Sequence, residues 1–133
     1  GEAVFGEEAR AALQYACEQT GALVLDFHVA PRTATLDTLP SHQWLIEFER
    51  PPQNLDAFAQ SIDEHLQAVN RHYQIRREAQ AFARPEIVPV PQGVFYEWLR
   101  QTKKKISGQT KVPRMSEERT VADSVLSLIG NNS

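Results

Sequence analysis

Asn54-Leu55-Asp56-Ala57-Phe58-Ala59-Gln60-Ser61-Ile62-Asp63-Glu64-His65-Leu66-Gln67-Ala68-Val69-Asn70-Arg71-His72-Tyr73 is the most regular stretch of this 133-residue chain. Leu55, Phe58, Ile62, Leu66, Val69 and Tyr73 recur every three or four positions, the period of one face of an α-helix. Asn54 suits the N-cap, because its side-chain oxygen can accept a backbone N–H of the first turn. One long helix is expected from Leu55 to about Gln80, with its stripe on a sheet. Asp56, Gln60, Asp63, Glu64, Gln67, Asn70 and Arg71 would form its solvated face.

Upstream, Ala22 to Val29 alternates as a strand does, with Leu23, Leu25, Phe27 and Val29 on one face and Asp26 and His28 on the other. His42 to Glu49 repeats the pattern: Trp44, Ile46 and Phe48 oppose Gln43, Glu47 and Glu49. A short connection between the two makes them antiparallel neighbours. Glu2 to Phe5 reads as a short first strand, followed by a helix that buries Ala9, Leu13, Ala16 and Cys17 and ends at Gly21. Downstream, Glu86 to Val90 contains Pro89 and is expected at a sheet edge. Val94 to about Thr102 is a third helix, and Thr120-Val121-Ala122-Asp123 opens a terminal helix that Gly130 would stop. The expected fold is one α+β domain over residues 1–133. It would have a small, mainly antiparallel sheet with helices on one face, in a ferredoxin-like split βαβ order, plus C-terminal helices.

The 41% apolar and 23% charged content is that of a globular chain, and no apolar run reaches membrane-spanning length. No signal peptide is visible, and a single Cys17 fits a reducing, cytoplasmic setting. The net charge of −3 is uneven: seven Lys/Arg against fourteen Asp/Glu over residues 1–99, but seven against two over residues 100–119. The acidic body argues against a nucleic-acid partner, which needs a broad basic surface.

No metal site is expected, because His28, His42, His65 and His72 are scattered and no paired Cys exists. Asp26 and His28 share a strand face without a nucleophile, and Glu47 and Glu49 read as a solvated face rather than an acid–base pair. The unusual segment is Gln101-Thr102-Lys103-Lys104-Lys105-Ile106-Ser107-Gly108-Gln109-Thr110-Lys111-Val112-Pro113-Arg114-Met115. Lys103 to Lys105 read as simple solvated charge. Lys111 is more specific, a mobile cation between Gly108-Gln109 and rigid Pro113 that can meet a phosphate as charge develops on it.

Gly108-Gln109-Thr110-Lys111-Val112-Pro113-Arg114 resembles the Gln-x-Lys-[Thr/Val]-Pro-Arg signature of the Gretchen Hagen family, the auxin-responsive acyl-acid amido synthetases. In the same order, Phe5-Gly6-Glu7-Glu8 is similar to the segment after that family's inter-domain hinge. Asn70 to Arg77 is similar to a helix end of the family, and Pro91 to Trp98 to the opening of the next helix. The resemblance implies a C-terminal cap domain of a larger adenylate-forming enzyme, inactive alone, whose missing N-terminal domain would be its partner. The whole enzyme would activate a small carboxylic acid with ATP and Mg2+ as an acyl-adenylate, then pass it to an amino acid amine. It also implies Lys111 as the catalytic lysine reaching the ATP phosphates, with Gln109 as a weaker ATP-site contact. Plant members carry an aromatic residue where Thr110 stands, which points to a bacterial homologue with other substrates. The alternative is a stand-alone ferredoxin-like module that binds an anionic ligand or acidic partner through its basic loop.

Overall fold

The computed structural model describes residues 2–102 and 111–131, with side chains over residues 5–102 and 111–130. Its elements are α1 (Glu2–Thr20), β1 (Leu23–Arg32), β2 (Ser41–Arg50), α2 (Leu55–Val69), α3 (Arg71–Glu78), β3 (Glu86–Val90), α4 (Val94–Thr102) and α5 (Thr120–Asn131). The α+β class is as expected, but Glu2–Phe5 is the first turn of α1 and not a strand. The sheet among the described residues therefore has three strands in the order β1-β2-β3. β1 and β2 pair antiparallel, as their spacing predicts. β3 returns parallel to β2, because the intervening α2–α3 segment is long enough to make a crossover. β3 lies at an edge with Pro89 exposed, as a proline that cannot donate requires.

Helices cover both faces of the sheet, a correction to the one-sided expectation. Trp44, Leu45 and Ile46 of the central strand are all fully buried, the continuous apolar run of a strand covered on both sides. One core joins Trp44, Ile46, Phe27 and Val29 to Ala9, Leu13 and Ala16 of α1 and Phe58, Ile62 and Leu66 of α2. The other joins Leu45 and Ala30 to Val94, Phe95 and Trp98 of α4, and to Ala122 and Val125 of α5. Gln43 and Glu47 point to that second face and are buried rather than solvated. Each finds a partner: Gln43 Nε2 donates to Glu86 (3.1 Å), and Glu47 Oε2 accepts the Gly93 N–H (2.7 Å) at the start of α4. Gly93 has φ 90°, a conformation glycine adopts without steric cost.

The long helix breaks at Asn70, whose extended backbone ends α2 and starts α3. Its side chain accepts the Tyr73 N–H (2.9 Å) and donates to Glu8 of α1 (2.8 Å), so one residue caps a helix and ties it to a neighbour. The break turns α3 so that Tyr73 and Arg77 face Asp63. Asp63, expected on a solvated face, is buried, accepting from Tyr73 Oη (2.5 Å) and from Arg77 Nε and Nη2 (2.8 and 2.9 Å). Arg77 also donates to the Phe82 carbonyl (2.9 Å), closing the turn after α3. α5 runs through Gly130 instead of stopping there. No helix among the described residues is long and apolar enough to cross a membrane.

Removing the Asp63 carboxylate by Asp63→Ala strands Tyr73 and Arg77 and is expected to cost about 3 kcal/mol, read as a lowered urea midpoint. Asn70→Ala is expected to cost about 1 kcal/mol by the same measurement.

Stability also depends on pH in a defined direction. His42, packed among Phe5, Tyr73 and Phe82, has its pKa lowered by burial from 6.5 to about 4, with Arg76 adding to the effect. Between those values the unfolded chain binds a proton that the folded chain does not, so stability falls as pH drops through the window, by up to about 1.4 kcal/mol per unit. The buried His28 shifts the same way. Asp63 has its pKa lowered: burial, the largest single effect, raises it, but the hydrogen bonds from Arg77 and Tyr73 together outweigh that. Its contribution is present above pH 3.8 and is lost on further acidification through its folded value. His42→Phe should flatten the pH 6.5-to-4 dependence of the urea midpoint; an unchanged slope would refute the assignment.

Candidate functional site

Lys111 stands at the start of a strap that runs along the outer edge of β1. The strap is fixed at four successive points. Val112 is buried in the second core. The Pro113 carbonyl accepts from His28 Nδ1 (2.6 Å). The Val29 N–H donates to the Arg114 carbonyl (2.8 Å), and the Ser116 N–H donates to the Val29 carbonyl (3.1 Å), which makes a parallel bridge centred on Met115. Met115 packs against the first core. Arg119 then donates to the Pro31 carbonyl (3.0 Å) and to Gln43 Oε1 (2.8 Å), holding the start of α5 to the same strands.

His28 carries much of this anchoring. Its ring is fully buried, Nδ1 is engaged by Pro113, and Nε2 has no hydrogen-bond partner among the described residues. Burial, the largest cause, lowers its pKa, the Pro113 bond opposes the shift and Arg119 adds to it. The ring is therefore neutral at pH 7 with its proton on Nδ1, a donor rather than a base. Asp26 and His28 share a face, as the alternation predicts, but they do not act together: His28 is committed to the strap.

The exposed Lys111 borders a cleft of about 680 Å³ between α1 and the first half of β1. Arg10, Leu13, Gln14 and Cys17 line it from α1, residues 23–27 from β1, and Val112 and Arg114 from the strap. A β-bulge shapes the β1 side. In the pairing with β2, Val24 faces Phe48 and Asp26 faces Glu47, which leaves Leu25 as the extra residue. Leu23 and Leu25 consequently leave the face shared by Phe27 and Val29 and are 41% and 51% exposed. This corrects the expectation that all four share one buried face.

Asp26 is the half-buried carboxylate of the cleft. Its Oδ1 accepts the Phe27 N–H (2.8 Å). Burial, foremost, raises its pKa and Glu47 adds to that, while the Phe27 hydrogen bond, Lys111 and Arg114 act to lower it. Asp26 is thus electrostatically coupled to Lys111. Glu47 is engaged at Gly93 and Glu49 is exposed, so the two glutamates form no acid–base pair. Cys17 is half-buried on the cleft wall, and burial together with Glu18 pushes its thiol up, away from the thiolate form. Gln109 and Lys103 to Lys105 lie outside the described residues. Among the described residues no group of three or more His, Cys, Asp or Glu side chains is placed to hold a metal. Arg10 and the outward turn of Leu23 and Leu25 escaped the reading from sequence, which placed Asp26 beside His28 on a strand face without giving it a role; the proline spacing around Lys111 was a local signal for this region.

The GH3 family C-terminal domain, as a sequence model, matches residues 7–120. Among solved structures, AtGH3.15 acyl acid amido synthetase in complex with 2,4-DB is similar, with a TM-score of 0.71 and 16% identity over 90% of this chain and 23% of that one. A second structure, GH3.15 acyl acid amido synthetase, gives a TM-score of 0.71 and 17% identity over the same shares. At these identities the structural likeness is one of fold, and the chain spans about a quarter of the length of either structure. No curated protein sequence matches it. The matched span holds most of α1, the doubly covered sheet, Asn70 and the Lys111 strap, and on that span the chain belongs to the GH3 family as a C-terminal domain.

Proposed function

We propose that this chain is the C-terminal cap of a larger, cytoplasmic, adenylate-forming acyl-acid amido synthetase, and that Lys111 is its catalytic residue. The observation that carries the reading is the strap: within a span that matches the family, a lysine sits beside a cleft and is followed at once by residues anchored in both cores. A flexible cation on a rigid mount suits a group that must reach into a neighbouring domain and meet charge developing on a carboxylate and a phosphate. Arg10 and Arg114 add positive charge to the same cleft, so the surroundings of Lys111 fit the ATP phosphates.

In this scheme the missing N-terminal domain is the partner and carries most of the ATP and carboxylic-acid pocket, and the cap closes on it for adenylate formation. Gln109 is proposed as a loop residue contacting the nucleotide. In this reading the magnesium that accompanies ATP belongs with the partner domain. The second half-reaction joins the activated acyl group to an amino acid amine. The domain alone is expected to be inactive.

The test uses the full-length enzyme. Lys111→Ala is expected to lower ATP–pyrophosphate exchange by about 100-fold or more, whereas amide formation from pre-formed acyl-adenylate should be affected much less. Unchanged exchange would refute the role given to Lys111.

A further inference from the structure

We infer that His28 is a positioning residue for Lys111: its buried imidazole, rather than the strand edge, fixes the chain two residues beyond the lysine and so sets where the ammonium can reach. The inference rests on the role proposed for Lys111 above and adds the group that aims it.

The main-chain pairing between the strap and β1 stops short of Lys111. Val29 engages the strap twice, its N–H donating to the Arg114 carbonyl (2.8 Å) and its carbonyl accepting the Ser116 N–H (3.1 Å). Along the same edge the Phe27 N–H would be the next donor to the strap, but it donates to Asp26 Oδ1 (2.8 Å) instead. Pro113 has no N–H, so its carbonyl is the only polar backbone group it can offer. That carbonyl accepts from His28 Nδ1 at 2.6 Å. A side chain thus takes over where the ladder ends.

Packing alone does not call for histidine at this position. His28 is fully buried, and its cross-strand partner Leu45 and its neighbour along the face, Ala30, belong to the second core. Its Nε2 has no partner, and the hydrogen bond to Pro113 is the one its ring makes among the described residues. An aliphatic side chain would avoid the cost of that unpaired nitrogen. Where a packing rule is broken for a single polar contact, the contact marks a functional constraint. Val112 also holds the strap, but an apolar contact has no preferred direction, whereas a hydrogen bond does. The bond to Pro113 therefore sets the direction in which the chain leaves toward Lys111, and a displacement of about 1 Å in a reacting group can cost about 100-fold in rate.

The experiment measures ATP–pyrophosphate exchange, amide formation from pre-formed acyl-adenylate and the urea midpoint for variants of the full-length enzyme. His28→Leu is expected to lower exchange by about 10- to 100-fold while the amide step stays within about twofold. His28→Asn places its Nδ2 close to where Nδ1 stands and should restore most of the exchange. It packs less well than leucine, so activity and urea midpoint should rank in opposite order. Where His28→Leu yields no folded enzyme, His28→Gln replaces it, since its amide extends to the Nε2 position and misses Pro113. In a Lys111→Ala background, His28→Leu should lower exchange by less than about twofold more, because a residue acting through the lysine has nothing left to act on. Exchange that follows the urea midpoint, an asparagine variant as slow as the leucine one, or an equal loss with and without Lys111 would overturn the inference. Full exchange in His28→Leu beside lost exchange in Lys111→Ala removes the positioning role alone. Intact exchange in Lys111→Ala removes the reading beneath it.

Discussion

The burial of Trp44, Leu45 and Ile46 on a strand with neighbours on both edges and helices on both faces is the constraint from which the rest follows. Each such side chain removed from water contributes about 1.5–3 kcal/mol, and three in succession cannot be satisfied by a one-sided sheet. The second face must be covered, and α4, α5 and Val112 cover it. That covering in turn forces Gln43 and Glu47 to find partners, because a buried polar group without one costs more than it returns. Their partners lie on β3, just before α5 and just before α4, so the polar residues of the covered face become the links between layers.

How far the chain could be read without coordinates follows from the range of the forces involved. The β1–β2 pairing, the edge position of Pro89 and the extent of α4 rest on period and proline chemistry, and these were legible. The break at Asn70 was not, since a helical stripe running through to Tyr73 gives no sign that the side chain of Asn70 will turn back to cap α3. Asp63 was misplaced for the same reason: its burial depends on Tyr73 and Arg77 arriving from the far side of that break. The bulge at Leu25 and the helical state of Glu2–Phe5 are likewise tertiary outcomes, set by pairing with β2 and by the extension of α1. In the site, a cation set just ahead of a rigid proline was legible at Lys111 and Pro113. Its mount was not, because His28 and Pro113 lie 85 positions apart.

The strap has an unusual position between the two cores. Val112 enters one and Met115 the other, so within four residues the chain passes around the edge of the sheet from face to face. The same passage places the Arg114 side chain toward Glu7 on α1. Lys111 therefore sits where both hydrophobic clusters, the first helix and the strand edge meet. A small change in how either layer packs would be felt at its base.

The strap also changes what the sheet shows to other molecules. β1 and β3 are its two outer strands, and an outer strand with open N–H and C=O groups is a template for another chain. On β3 the proline at 89 blunts that tendency. On β1 both peptide groups of Val29 are already used by Arg114 and Ser116. The segment that carries the lysine thus also guards the middle of an open edge, so a chain cut before it would lose more than a charge: it would gain a surface prone to edge-to-edge association.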